Sequence, residues 1–323
     1  MQISEVQALA AKIKENMEKV IVGKSDKIDL ILAALLAKSH VLLEDVPGTG
    51  KTVLAKSLSR SIDTGFKRIQ FTPDLLPSDL IGINYYNQKE GEFVFREGAL
   101  FTNILLADEI NRATPRTQSS LLESMEEKQI TVDGKTYMLA KPFFVIATEN
   151  PVETQGTFPL PEAQLDRFLI RLSMGYTNRD EAVRILERFV NHTPAEDLGP
   201  VCTQEQLLEM QESVQQVKIH PDLAAYTVDI VEKTRTREEI QLGVSPRGNL
   251  ALLKAAQALA AIRGREFVSP DDIKELALPV LGHRIILRGS QRNRSTQIET
   301  LIEEILSEVQ VPTEEWKNTV REA

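Results

Sequence analysis

Asp45-Val46-Pro47-Gly48-Thr49-Gly50-Lys51-Thr52 follows a short apolar run, Val41 to Glu44, and leads into a helical one, Val53 to Ser61. A chain that wraps a polyphosphate needs small residues where backbone N–H groups turn inward, a cation for the outer phosphates and a hydroxyl for a magnesium ion. Gly48 and Gly50, Lys51, and Thr52 supply these in order. The general pattern, G-x-x-x-x-G-K-[ST], starts on a glycine, and Asp45 stands there instead. That position carries the opening turn, so the change bears on local backbone geometry more than on phosphate binding. With a strand before it and a helix beginning at Val53 after it, the stretch reads as a nucleotide phosphate loop in an α/β fold.

Outward from the loop, short β-rich runs alternate with helical stretches. Val41 to Glu44, Arg68 to Thr72, Asn103 to Ala107, Phe143 to Ala147 and Phe168 to Leu172 are the expected strands, and their alternation with helices predicts a parallel sheet with crossovers. Strand signals stop near Gly175. Beyond Tyr176 the chain reads as successive helices, Asp180 to Val190, Thr203 to Val217, Pro221 to Arg235 and Asn249 to Ile262. The expected division is a nucleotide-binding α/β domain over residues 1–175 and an all-helical lid over 176–323. Two hairpins interrupt the first domain. Tyr85, Tyr86 and Phe93-Val94-Phe95 flank a polar turn after a short helix at Ser78 to Leu80, and Gln129 to Val132 and Lys135 to Met138 flank Asp133-Gly134, a pair suited to a type I′ turn.

Two strand ends carry further chemistry. Ile104-Leu105-Leu106-Ala107 runs into Asp108-Glu109, where Asp108 is suited to hold magnesium through its water shell and Glu109 to polarise the water that attacks a γ-phosphate. Phe143 to Ala147 runs into Thr148-Glu149-Asn150-Pro151, and the Asn150 amide is suited to orient that water without adding charge. Taken with the phosphate loop, these ends point to hydrolysis of a nucleoside triphosphate with Mg2+.

The phosphate loop, Leu-Ala-Asp-Glu-Ile-Asn-Arg-Ala, Ala-Thr-x-Asn-Pro, Leu-Pro-Glu-Ala-Gln-Leu-Asp-Arg-Phe and Ser-Pro-Arg together resemble MoxR-family AAA+ ATPases over roughly residues 15 to 290. Aspartate at the first loop position is typical of that family. Glu149 and Ala99 depart mildly from it, standing where glutamine and proline are frequent. The resemblance implies ATP and Mg2+ as cofactors, a hexameric ring and a chaperone-like action on client protein complexes. It also implies a partner with a von Willebrand factor A domain, and it likens the two hairpins to the helix-2 insert and pre-sensor hairpin of this branch. By the same resemblance Asn150 is sensor 1, Arg247 is sensor 2 and Arg167 is the arginine finger that reaches the next subunit's ATP, with Arg171 as the alternative. Ile21-Val22-Gly23 resembles the segment packed on adenine, and Arg247 would draw the lid toward the γ-phosphate. A chelatase-type motor subunit and an ATP-gated scaffold with slow turnover are the competing readings.

Composition bounds the rest. The 323 residues include 42% hydrophobic and 26% charged, as in globular proteins, and a net charge of -9 argues against broad binding to nucleic acid or anionic lipid. Cys202 is the only cysteine, which excludes an intrachain disulfide and fits a reducing, cytoplasmic setting. Residues Met1 to Val20 have no continuous apolar core of the kind a signal peptide needs. His40, His192, His220 and His283 lack metal-ligand spacing and read as structural or surface residues, and Arg112 and Arg116 carry no assigned role.

Overall fold

A computed structural model of the chain describes residues 1–44, 48–151, 156–190, 197–289 and 294–312. Two helices, α1 (Ile3–Glu18) and α2 (Ser25–Leu36), lead into β1 (Val41–Glu44), and α3 (Lys51–Ile62) follows the phosphate loop. Next come β2 (Phe66–Gln70), α4 (Pro77–Ile81), the hairpin β3 (Ile83–Asn87) and β4 (Glu92–Arg96), β5 (Ile104–Asp108) and α5 (Pro115–Glu127). The second hairpin, β6 (Gln129–Val132) and β7 (Lys135–Met138), precedes β8 (Phe144–Glu149), α6 (Glu162–Leu165) and β9 (Ile170–Leu172). The rest comprises α7 (Arg179–Phe189), α8 (Gln204–Val214), α9 (Pro221–Thr236), β10 (Ile240–Leu242), α10 (Pro246–Ile262), α11 (Pro270–Leu281), β11 (Ile286–Leu287) and α12 (Arg294–Glu308).

Five strands form one parallel sheet in the order β2-β5-β8-β1-β9. β5 is buried throughout and β1 and β8 are buried up to their final glutamates, because helices cover both faces, so these strands read as continuous apolar runs without alternation. The edge strand β2 is largely exposed and starts two residues earlier than expected, since Phe66 to Gln70 register with Ile104 to Asp108. β9 is shorter than Phe168 to Leu172. The carbonyls of Phe168 and Leu169 accept from the Arg284 guanidinium, and the ladder begins only at Ile170.

The Asp133-Gly134 turn has φ of 49° and 78°, the two left-handed positions that a type I′ turn requires. The half beyond Gly175 is helical apart from an antiparallel ribbon of β10 and β11, whose strands are too short to show an alternating pattern. α10 starts at Pro246 rather than Asn249, with Ser245 at its N-cap, so Arg247 lies in its first turn. Its Ala255, Ala256 and Ala258 to Ala261 are fully buried, and small side chains there let α1, α2 and α11 approach closely. The N-terminal helices therefore join the sheet and the C-terminal helices through one apolar core, where a buried leucine such as Leu259 contributes roughly 2–3 kcal/mol. Among the described residues no helix is long and apolar enough to cross a membrane.

Candidate functional site

In a parallel sheet every strand ends at the same edge, and ligands bind beyond that edge. β1 leads there into the phosphate loop, β5 into Glu109 and β8 into Asn150, so the topology gathers the three strand-end motifs. Asp45, Val46 and Pro47 lie outside the described residues. Gly48 and Gly50 have φ of 85° and 86°, in the left-handed region where a side chain is strained, although a Cβ would meet nothing within 4 Å. Gly50 caps α3, so Lys51 and Thr52 occupy a helix N-terminus, whose dipole favours an anion.

Beside the loop lies a largely apolar cleft of about 500 Å³, lined by Val22, Gly48, Thr49, Val53, Ile185 and Phe189 among others. This volume is in the range of small-molecule sites, and its lining joins the loop glycines to apolar side chains that could receive a flat base. Gly23 stands at the turn behind it. Its φ of 70° favours glycine, and the end of the flexible Glu181 side chain lies 2.0 Å from where a Cβ would project and would have to move for any other residue. The far wall is α7, which has no buried residue of its own. It is anchored by Arg188, whose Nη1 donates to the carbonyls of Glu18 (2.8 Å) and Lys19 (3.0 Å). The signal α7 carried for this role was its apolar face, Ala182, Ile185 and Phe189, which line the cleft.

Asp108 and Glu109 are tied together by one hydroxyl. Thr148 Oγ1 accepts from the Glu109 N–H (2.8 Å) and donates to Asp108 Oδ1 (2.9 Å). Glu109 has φ of 54°, a costly conformation for a residue with a Cβ, and it turns the carboxylate away from the strand line. Its Oε2 accepts from Gln70 Nε2 (2.8 Å) and pairs with Arg112 (3.0 Å), while Asp108 Oδ2 pairs with Arg68 (2.7 Å). Arg68, Gln70 and Thr148 were not singled out from sequence. The signal was sheet order, since β2 and β8 flank β5 and Gln70 registers with Asp108. Among the described residues no group of three or more His, Cys, Asp or Glu could hold a metal alone. Asp108 and the Thr52 hydroxyl suit Mg2+, a hard ion that takes one or two protein oxygens and completes its shell with phosphate and water.

Asn150 is 5% exposed at the end of β8. Next to it, Glu149 registers with Glu44 of β1, and Arg171 Nη1 pairs with Glu44 Oε2 at 3.3 Å. One cation thus serves two carboxylates. Burial and the neighbouring Glu44 charge, only partly offset by Arg171, push the Glu149 carboxyl up to about 7.

The remaining arginines lie elsewhere. Arg167 precedes β9, whose Ile170 registers with Val41 at the start of β1, whereas the phosphate loop leaves the other end of β1. At about 3.3 Å per residue a four-residue strand separates the two by more than 10 Å. Arg167 Nε donates to Glu126 Oε2 (2.8 Å), and Arg247 Nη2 reaches Glu126 Oε1 at 3.7 Å, so both arginines share one carboxylate. Arg247 therefore stands with Arg167, away from the residues lining the cleft beside its own phosphate loop. A small cavity of about 230 Å³ there is lined by Lys38, Arg167, Arg247, Lys254 and Arg284. Burial, with Lys38, Lys254 and Lys141 nearby, holds the Lys128 ammonium below its usual range, while Glu126, Asp166 and Glu212 pair with the arginines and with Lys38 on this face.

Comparison with known proteins matches residues 40–170 to the ATPase family associated with various cellular activities (AAA) and residues 232–305 to the AAA lid domain. The Bacillus subtilis protein YeaC is 52% identical over 96% of this chain and 97% of its own. Chaperone MoxR1 of Mycobacterium tuberculosis is 39% identical over 96% of this chain and 84% of its own, and protein MoxR of Paracoccus denitrificans is 30% identical over 96% and 98%. A solved structure of a candidate ATPase from Cytophaga hutchinsonii superposes with a TM-score of 0.89 at 37% identity, covering 96% of this chain and 97% of that one. Because the family models take in both halves and the relatives named MoxR align along nearly the whole chain, this chain belongs to the MoxR family of AAA+ ATPases.

Proposed function

We propose that the chain hydrolyses ATP to ADP and phosphate at sites completed between subunits of a ring, and uses the cycle to remodel partner protein complexes. The observation that carries this reading is the separation of parts: the phosphate loop, Asp108, Glu109 and Asn150 share one end of the sheet, while Arg167 and Arg247 stand together at the other. Arg68 and Arg112 are held by Asp108 and Glu109 of the same subunit, so a site that also uses Arg167 and Arg247 needs a neighbour to supply them. In this reading Gly48, Thr49, Gly50, Lys51 and Thr52 bind the phosphates, Val22 and Val53 face the base, and Thr52 with Asp108 holds Mg2+. The metal, when bound, neutralises charge on the β- and γ-phosphates.

Glu109 takes the proton of the attacking water as the water oxygen bonds to the γ-phosphorus and the bond to the ADP oxygen breaks. Asn150 orients that water. Arg167 of the adjoining subunit meets the charge that develops, a contribution of about 10³- to 10⁵-fold in related phosphoryl transfers. Arg247, paired with the same Glu126, acts on that neighbouring phosphate too, so the helical half beyond residue 175 moves with the state of the next site. The ring is proposed as a hexamer and the partner as a von Willebrand factor A domain protein, both by family resemblance. A cytoplasmic setting is consistent with Cys202, whose thiol is buried and pushed up to about 11. Glu109→Gln should bind ATP with near-unchanged affinity by calorimetry and lose hydrolysis by at least ~100-fold; near-normal turnover would remove Glu109 from this role.

A further inference from the structure

Arg284 lies just beyond α11, in the 3-10 turn Gly282–Arg284, and its side chain is 4% exposed. A buried guanidinium is costly unless its N–H groups are all engaged. Here they converge on one short segment. Nε donates to Asp166 Oδ1 (2.6 Å), and Nη2 donates to the carbonyls of Asp166 (3.2 Å) and Phe168 (2.8 Å). Nη1 donates to the carbonyl of Leu169 (3.3 Å) and to that of Val280 in the last turn of α11, and lies 2.8 Å from His283 Nε2. Arg284 thus collects the carbonyls on both sides of Arg167 together with the Asp166 carboxylate.

With its neighbours' carbonyls turned inward onto Arg284, residue 167 presents its side chain outward, where Nε meets Glu126. The segment lies between α6 and β9, where the N–H groups of Arg167 and Phe168 donate to the carbonyls of Gln164 and Leu165 and that of Leu169 donates to the His40 carbonyl. Arg284 is the side chain that gathers its carbonyls and the Asp166 carboxylate. We propose that Arg284 is the positioning residue for Arg167: it holds the 166–169 turn in the orientation that offers the Arg167 guanidinium to the adjoining subunit. Rotation of the C-terminal helices in one subunit is thereby transmitted to hydrolysis in the next. This rests on the reading that Arg167 acts between subunits. Arg247 approaches the same point from α10, so two residues of the C-terminal half bear on one arginine.

Lysine at 284 keeps the charge but offers one compact ammonium, which cannot span a carboxylate and four carbonyls. Arg284→Lys should therefore assemble and bind ATP within about twofold of the unmodified protein by calorimetry, with KM unchanged and kcat reduced at least tenfold. Mixed with Glu109→Gln subunits, which bring an intact Arg284 and Arg167, it should regain hydrolysis. A mixture of Arg167→Ala with Glu109→Gln runs in parallel. Recovery in that control without recovery for Arg284→Lys, or an Arg284→Lys protein with unmodified kcat, would overturn the assignment. Failure of the control in co-assembled rings would instead overturn the intersubunit reading, and this inference with it. If Arg284→Lys fails to fold cooperatively, Asp166→Asn, which keeps the carbonyl contacts and removes the charged partner of Arg284, takes its place with the same measurements and the same deciding outcomes.

Discussion

Replacing Glu149 by glutamine should stabilise the protein at alkaline pH and leave it nearly unchanged in acid. Glu44 and Glu149 lie side by side on β1 and β8 with Arg171 as their shared cation, and the Glu149 carboxyl is carried from 4.5 to about 7 by burial and by the Glu44 charge. At about 1.4 kcal/mol for each tenfold change in proton affinity, the ionised form costs at most about 3.4 kcal/mol, and the residual solvent access of Glu149 reduces this to roughly 1–2 kcal/mol. The folded value is raised, so the proton's contribution is complete below 4.5 and is lost as pH rises through about 7. Glu149→Gln, which resembles the protonated acid in shape, should raise Tm at pH 8 by about 1.5–3 °C and change it by under ~1 °C at pH 5. Differential scanning calorimetry at both pH values, with the unmodified protein alongside, measures this. An equal effect at the two pH values, or none at pH 8, would refute the elevation of the Glu149 carboxyl.

Other expected outcomes follow from single contacts. His40 is buried, with Nδ1 accepting from the Val145 N–H (3.0 Å) and Nε2 at 3.2 Å from the Met125 carbonyl, and burial lowers it from 6.5 to about 4. Its folded value is depressed, so acid removes up to about 3 kcal/mol between pH 6.5 and 4; His40→Asn should flatten that limb of a urea-midpoint profile. The slopes from His40 and Glu149 oppose each other in nearly the same window, which is why each needs its own variant. Thr148→Val removes the hydroxyl joining Asp108 to the Glu109 N–H, and should cost ~1–3 kcal/mol in denaturant titrations and lower kcat by about 10- to 100-fold. Arg171→Ala leaves Glu44 without its ion pair inside the same subunit. Its ATPase defect should persist in mixtures with Glu109→Gln subunits, whereas that of Arg167→Ala should not.

The elements legible in the sequence were those whose signal is local. Val41 to Leu43, Ile104 to Ala107 and Phe144 to Ala147 are apolar throughout because the sheet is covered on both faces, and each runs into its polar motif. The Asp133-Gly134 hairpin was equally plain, since the turn dictates its residues. Contacts that depend on sheet order were hidden. Gln70 and Thr148 meet Glu109 only because β2 and β8 flank β5, and neither residue type is distinctive. Arg171 looked like an alternative to Arg167 because it lies four residues on. Strand pairing sets it apart, placing Arg171 within the sheet against Glu44 while Arg167 faces outward to Glu126. Arg284 was the least accessible, since its partners lie more than a hundred positions earlier in the chain.

The most direct measurement is a structure of the Glu109→Gln protein assembled with ATP and Mg2+. The intersubunit site requires the Arg167 guanidinium of one subunit to have left Glu126 and to lie within hydrogen-bonding distance of the γ-phosphate held by the next subunit's Lys51. Arg167 still seated on Glu126 in the assembled, ATP-loaded state, with no neighbouring side chain at the γ-phosphate, would contradict it.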